Sequence, residues 1–207
     1  MSQAKEAIAI IERATGAAIK AMLHKGLDEA ELFDVEIAWG PKRVRALKEL
    51  RRKGTALADL PQHFHWNWAR KALRTSGQLG YRAFGIKVGR QMQGVMLVEL
   101  VSNVARLDPD KGKELVYVDY IETAPWNAKE FTDTPTYKGV GVRLIQAAAK
   151  CSIDEGFSGR VGLHSLPQSR PFYTGACEMT ALGPDANYND LEYFELPAAK
   201  VAALTQK

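Results

Sequence analysis

The chain has 207 residues, 46% hydrophobic and 25% charged: an ordinary globular composition, long enough to bury a core in one domain with an appendage. Two cysteines, Cys151 and Cys177, exclude a disulfide framework and a paired-cysteine zinc pattern, and they fit a reducing, cytoplasmic setting. No apolar run reaches the ~18 residues of a membrane span, and the net charge of +4 is mild but unevenly spread.

The first stretch, MSQAKEAIAIIERATGAAIKAMLHKG, lacks the continuous apolar core of a signal peptide and carries Glu6 and Glu12. Ile8, Ile11, Ile19, Met22 and Leu23 fall roughly on one helical face, and Gly26 suits a helix stop. This predicts an N-terminal helical extension over 1–27, whose apolar face packs on the body (28–207) or on a second subunit of a homodimer.

Residues 31–40, ELFDVEIAWG, alternate in part through Leu32, Val35, Ile37 and Trp39, which predicts a strand. A basic helix follows over 41–54, with Pro41 in its first turn. It carries Lys42, Arg43, Arg45, Lys48, Arg51, Arg52 and Lys53 against Glu49 alone. Two readings stand: a solvated basic face, or a docking surface for nucleic acid or an acidic protein. A further helix is predicted over 59–77, with Asp59 as its cap. Its His63 and His65 lack the further ligands a metal site needs, so no metal is expected.

Residues 81–100 read as a β-hairpin, and 114–123 as a strong strand rich in β-branched and aromatic residues. A long polar loop leads to Thr136-Tyr-Lys-Gly139-Val-Gly141, and then to an amphipathic helix through Leu144, Ile145, Ala148 and Ala149 to about Asp154. After that come a short strand (GRVGLHSL), a short helix or turn around Phe172 and Tyr173, two further strands, and a C-terminal helix or tail. Mostly antiparallel strands with one β–loop–helix–β crossover predict a mixed α/β fold.

Two glycines before a helix are open to two readings. They can be a plain strand-to-helix turn, or an anion cradle formed by the free amides of the helix start and its positive dipole end. The P-loop and dinucleotide fingerprints both fail, because neither Lys-Ser/Thr nor a third glycine follows.

The order of strand, K-G-x-G loop, amphipathic helix, strand and then SRPFYTGACEM resembles the GNAT superfamily of N-acyltransferases over roughly residues 80–196. Thr136 stands where that family carries Gln or Arg. About ten residues are inserted after Pro125, and Cys177-Glu178-Met179 replaces a common Gly-Phe.

The resemblance implies a mostly antiparallel sheet with flanking helices and an acyl-CoA cosubstrate, most simply acetyl-CoA. It implies direct transfer to an amine, whether a small molecule, a protein or an aminoacyl-tRNA. Lys138, Gly139, Val140, Gly141, Val142 and Arg143 would hold the pyrophosphate. Ile121 and Thr123 would run beside the pantetheine, along an edge left open where two strands splay. Ser169 and Arg170 would reach the phosphate-bearing end. Tyr173 matches the family's tyrosine acid, and Glu122 is the candidate base, with Asp119 and His164 as weaker alternatives. The competing expectations are a non-catalytic CoA-binding sensor and a nucleic-acid-binding protein that uses the basic helix 42–53.

Overall fold

The computed structural model describes residues 4–205. Nine strands form one mixed sheet with flanking helices, and this is the predicted fold class. The strands are β1 (Ala4–Glu12), β2 (Ala18–Lys25), β3 (Tyr81–Val88), β4 (Gln91–Glu99), β5 (Val116–Thr123), β6 (Tyr137–Lys138), β7 (Val161–Ser165), β8 (Thr180–Asp185) and β9 (Leu191–Leu196). Their order is β6-β1-β2-β3-β4-β5-β7-β9-β8. The helices are α1 (Glu29–Arg52), α2 (Trp68–Thr75), α3 (Val140–Asp154) and α4 (Val201–Thr205). Two compact units divide the chain. One comprises Met1–Leu79, Ala83–Val95 and Glu122–Val140, the other Gly80–Arg82, Met96–Ile121 and Gly141–Lys207.

In the first unit the expected N-terminal helix is instead a β-hairpin. β1 pairs with β2 from Ala4↔Lys25 to Ile11↔Ala18, and β2 pairs onward with β3. The physical reason is twofold. The isoleucines are β-branched and favour a pleated surface. Gly16, with φ 71°, turns the chain, and its N–H bonds to the Glu12 carbonyl at 2.8 Å. β6 lies in the loop just before α3 and pairs with the outer side of β1 through Ile11↔Lys138. Residues 1–3 of that expected helix, and 206–207 of the C-terminal one, lie outside the described residues.

The expected strand over 31–40 is also corrected: it is the first half of the 24-residue α1. Asp28 caps α1 in a capping box, its carboxylate accepting from Glu31 N at 2.8 Å while Glu31 reaches back to Asp28 N. Leu32, Val35, Trp39 and Arg43 form its buried face. Pro41 therefore sits inside a helix rather than at the start of one, at the cost of one backbone donor. The helix predicted over 59–77 shrinks to α2. Its cap is Asn67, whose side chain accepts from Arg70 N at 2.8 Å, rather than Asp59.

In the second unit β5 and β7 run parallel, so the crossover through α3 is present. β7 pairs on its other side with β9, and β9 with β8. The buried face of α3 includes Leu144, Ile145, Ala148 and Ala149, the residues whose spacing predicted it.

Candidate functional site

The β5–β7 ladder is short. Its register covers Val116↔Val161, Tyr117↔Gly162 and Val118↔Leu163, whereas β5 continues to Thr123. Ile121 and Thr123 lie half-buried on that continuation.

Both glycines were expected before the helix, but only Gly139 lies there; Gly141 is in the first turn of α3, and the two serve different physical ends. Gly139 has φ 94°, a conformation that strains any L side chain, and a Cβ there would meet open space. Gly141 has no such need. A Cβ on it would lie 2.9 Å from Cζ of Phe172, so its bare backbone seats that ring. Val140 is buried and Lys138 exposed. Val142 and Arg143 are half-buried in the first turn of α3, where Arg143 Nη1 donates to Gln146 Oε1 at 2.8 Å. The first amides of α3 lack intrahelical acceptors, as at any helix start.

The ring held by Gly141 belongs to a π-helical turn, Phe172–Ala176. The Cys177 N–H bonds to the Phe172 carbonyl at 3.2 Å, and the Met179 N–H to the Tyr173 carbonyl at 2.9 Å. Tyr173 is buried between Phe172 and Phe194, with ring centroids at 5.1 and 5.6 Å. Burial raises its phenol pKa, with the Cys177 thiol adding to the effect, so the hydroxyl stays protonated. Ser169 closes the preceding turn through its N–H to the Leu166 carbonyl at 2.9 Å. Arg170 pairs with Glu192, Nε to Oε2 2.9 Å.

His164 is fully engaged. Its Nδ1 lies 2.8 Å from the Tyr117 hydroxyl and its Nε2 3.1 Å from Asp185 Oδ2. Tyr188 stacks on the ring at 3.7 Å. Asp185 also takes Arg106 at 2.6 Å, and that guanidinium, first among its partners, holds its carboxyl down at about 2.

Glu122 belongs to a second cluster, in the first unit. It is a buried residue, not a strand-end surface carboxylate. Its Oε1 accepts from Arg43 Nη1 at 3.0 Å and its Oε2 from the indole Nε1 of Trp68 at 2.6 Å. Arg43 Nη2 bonds both oxygens of Glu36, at 2.7 and 2.6 Å, and Glu36 also accepts from Trp68 N at 2.8 Å. Burial pushes the Glu122 carboxyl up to about 7 against the opposing pull of Arg43. Nearby, burial pushes His63 down to about 4, with Arg43 contributing.

Sequence reasoning missed Glu36, and it did not bring Arg43 and Trp68 together with Glu122. A signal existed. Arg43 follows Leu32, Val35 and Trp39 at helical spacing, so one continuous helix would have put it on the buried face. Reading 31–40 as a strand broke that phase. A groove of about 570 Å³ lies beside α1, lined among others by Asp34, Trp39, Lys42, Arg90 and Trp126. Among the described residues no group of three His, Cys, Asp or Glu is arranged to hold a metal ion, and no helix is long and apolar enough to cross a membrane.

No family model matches the chain, and no curated protein matches it by sequence. Solved structures do match. RimJ of Mycobacterium smegmatis, in complex with CoA-disulfide, is 12% identical, with a TM-score of 0.51 over 99% of this chain and 95% of that one. The PaiA N-acetyltransferase of Thermoplasma acidophilum, in complex with coenzyme A, is 14% identical, with a TM-score of 0.51 over 84% and 97%. A GNAT-family acetyltransferase of Listeria monocytogenes is 10% identical, with a TM-score of 0.50 over 91% and 99%. With its strand order and its parallel crossover through α3, the chain therefore has the GNAT fold.

Proposed function

We propose that this chain is an acyl-CoA-dependent N-acyltransferase that uses acetyl-CoA and passes the acyl group directly to an amine. The observation that carries the reading is the seating of Phe172 on Gly141, which joins the start of α3 to the turn bearing Tyr173. The coenzyme A complexes of the RimJ and PaiA structures support the choice of cosubstrate.

The residues present fit that cosubstrate. Gly139 leaves open space where a side chain would stand, and Lys138 and Arg143 add positive charge. On this reading the amides of Gly139 to Arg143 hold the pyrophosphate, Ile121 and Thr123 pair with the pantetheine, and Ser169 and Arg170 border its phosphate end. Acyl-CoA supplies a thioester as the acyl donor. The attacking amine must be neutral, and Glu122 takes its proton. Tyr173, held in its protonated form by burial, donates its hydroxyl proton to the departing sulfur. The buried free thiols Cys151 and Cys177 fit a reducing, cytoplasmic location.

The test is release of free thiol from acetyl-CoA in the presence of small amines, peptide N-termini and aminoacyl-tRNA in turn. Acceptor-dependent release is expected from at least one class. Failure to bind CoA in calorimetry would sink the reading.

A further inference from the structure

One guanidinium serves two carboxylates in the first unit, and it serves them unequally. Arg43 Nη2 lies 2.7 and 2.6 Å from the two oxygens of Glu36, while Nη1 lies 3.0 and 3.3 Å from those of Glu122. Glu36 is fixed further by the backbone N–H of Trp68 at 2.8 Å. With both carboxylates ionised, Arg43 and its two partners carry one excess negative charge in a largely buried place. That excess is costly there, and the carboxylate held less closely by Arg43 is the one that relieves it by binding a proton.

We propose that Glu36 is a positioning residue for Glu122: by holding one side of the Arg43 guanidinium, it leaves Glu122 under-compensated and so able to accept a proton from the substrate amine. This rests on the reading of Glu122 as the base. Other groups act on the same cluster. Trp68 donates its indole N–H to Glu122, which favours the ionised form. The Lys71 ammonium lies 5.9 Å from the Trp68 ring and 4.5 Å from that of Trp66. His63 stays neutral, because burial and Arg43 both hold its pKa down. Glu36 is thus the group whose negative charge opposes ionisation of Glu122.

The experiment follows the carboxyl carbon resonance of Glu122 against pH in ¹³C-labelled protein, identified by its loss in Glu122→Gln. In Glu36→Gln, Arg43 is released to Glu122. The titration midpoint should fall by about one pH unit, a tenfold loss of proton affinity, and the acid limb of the rate profile should fall with it. Should Glu36→Gln fail to fold, Arg43→Lys replaces the fork with a point charge, and the midpoint should rise. A midpoint that stays put in the folded variant overturns the pairing itself. A midpoint that moves while the acid limb does not overturns Glu122 as the base, and with it the catalytic role of Glu36.

Discussion

The ring of Phe172 fills the space in which a side chain on Gly141 would begin. This contact ties the helix start to the π-helical turn. It makes the second glycine of the loop a packing requirement, whereas Gly139 is required by its positive φ.

The two glycines should therefore fail differently. Gly139→Ala forces an L side chain into a left-handed conformation and should cost about 1–2 kcal/mol, whatever stands at 172. Gly141→Val should destabilise by overpacking, on the order of 1–3 kcal/mol, and Phe172→Ala should recover part of that loss. Denaturant unfolding of the single and double variants measures the coupling. Independent, additive costs at 141 and 172 would contradict the contact.

Tyr173→Phe keeps the ring between Phe172 and Phe194 and removes only the hydroxyl. Thiol release should slow by about 10²-fold or more, with thermal stability and CoA affinity little changed. An unchanged rate would remove Tyr173 from the chemistry.

Stability should respond to pH in two opposed ways. Glu122 has a folded pKa raised to about 7 by burial. Its contribution is full below the unfolded carboxyl value and is lost as pH rises through about 7. His63 has a folded pKa lowered to about 4, again by burial. Its contribution is full above the unfolded imidazole value and is lost as pH falls through about 4. Each amounts to about 3 kcal/mol at its limit. Glu122→Gln should flatten the alkaline loss and His63→Gln the acid loss, as read from unfolding midpoints between pH 4 and 9.

The basic segment should split by helical phase. Arg43→Ala leaves Glu36 and Glu122 without their counter-charge and should cost about 3–5 kcal/mol. Arg45 is exposed on the same helix, and Arg45→Ala should stay within about 0.5 kcal/mol. Equal costs from equilibrium unfolding would mean that the buried pairing contributes nothing distinctive.

Much of the sheet and α3 was legible in the chain itself. Six of the eight residues from Val116 to Thr123 are β-branched or aromatic, and Leu144, Ile145, Ala148 and Ala149 repeat at a helical period, so local preference and burial agree there. Asp28 and Glu31 also spell the capping box of α1, a signal present but not read. The N-terminal hairpin was not legible in the same way. Ile8, Ile11, Ile19, Met22 and Leu23 satisfy a helical face about as well as a strand. The β-branched isoleucines and the Gly16 turn favour the hairpin locally, and pairing with β3 and β6, which lie far along the chain, completes it.

The site divides along the same line. Sequence alone determined that a glycine pair stands at the start of a helix, though not that Gly141 lies inside its first turn, and that Phe172-Tyr173 follows one strand later, because spacing along a chain is a local property. Only the tertiary structure decided that Gly141 seats Phe172, that Arg43 is buried while its basic neighbours are not, and that Glu122 shares its cation with Glu36. Burial and proximity set those charges and contacts, and Gly141–Phe172 and Arg43–Glu122 join residues that sequence separates by dozens of positions.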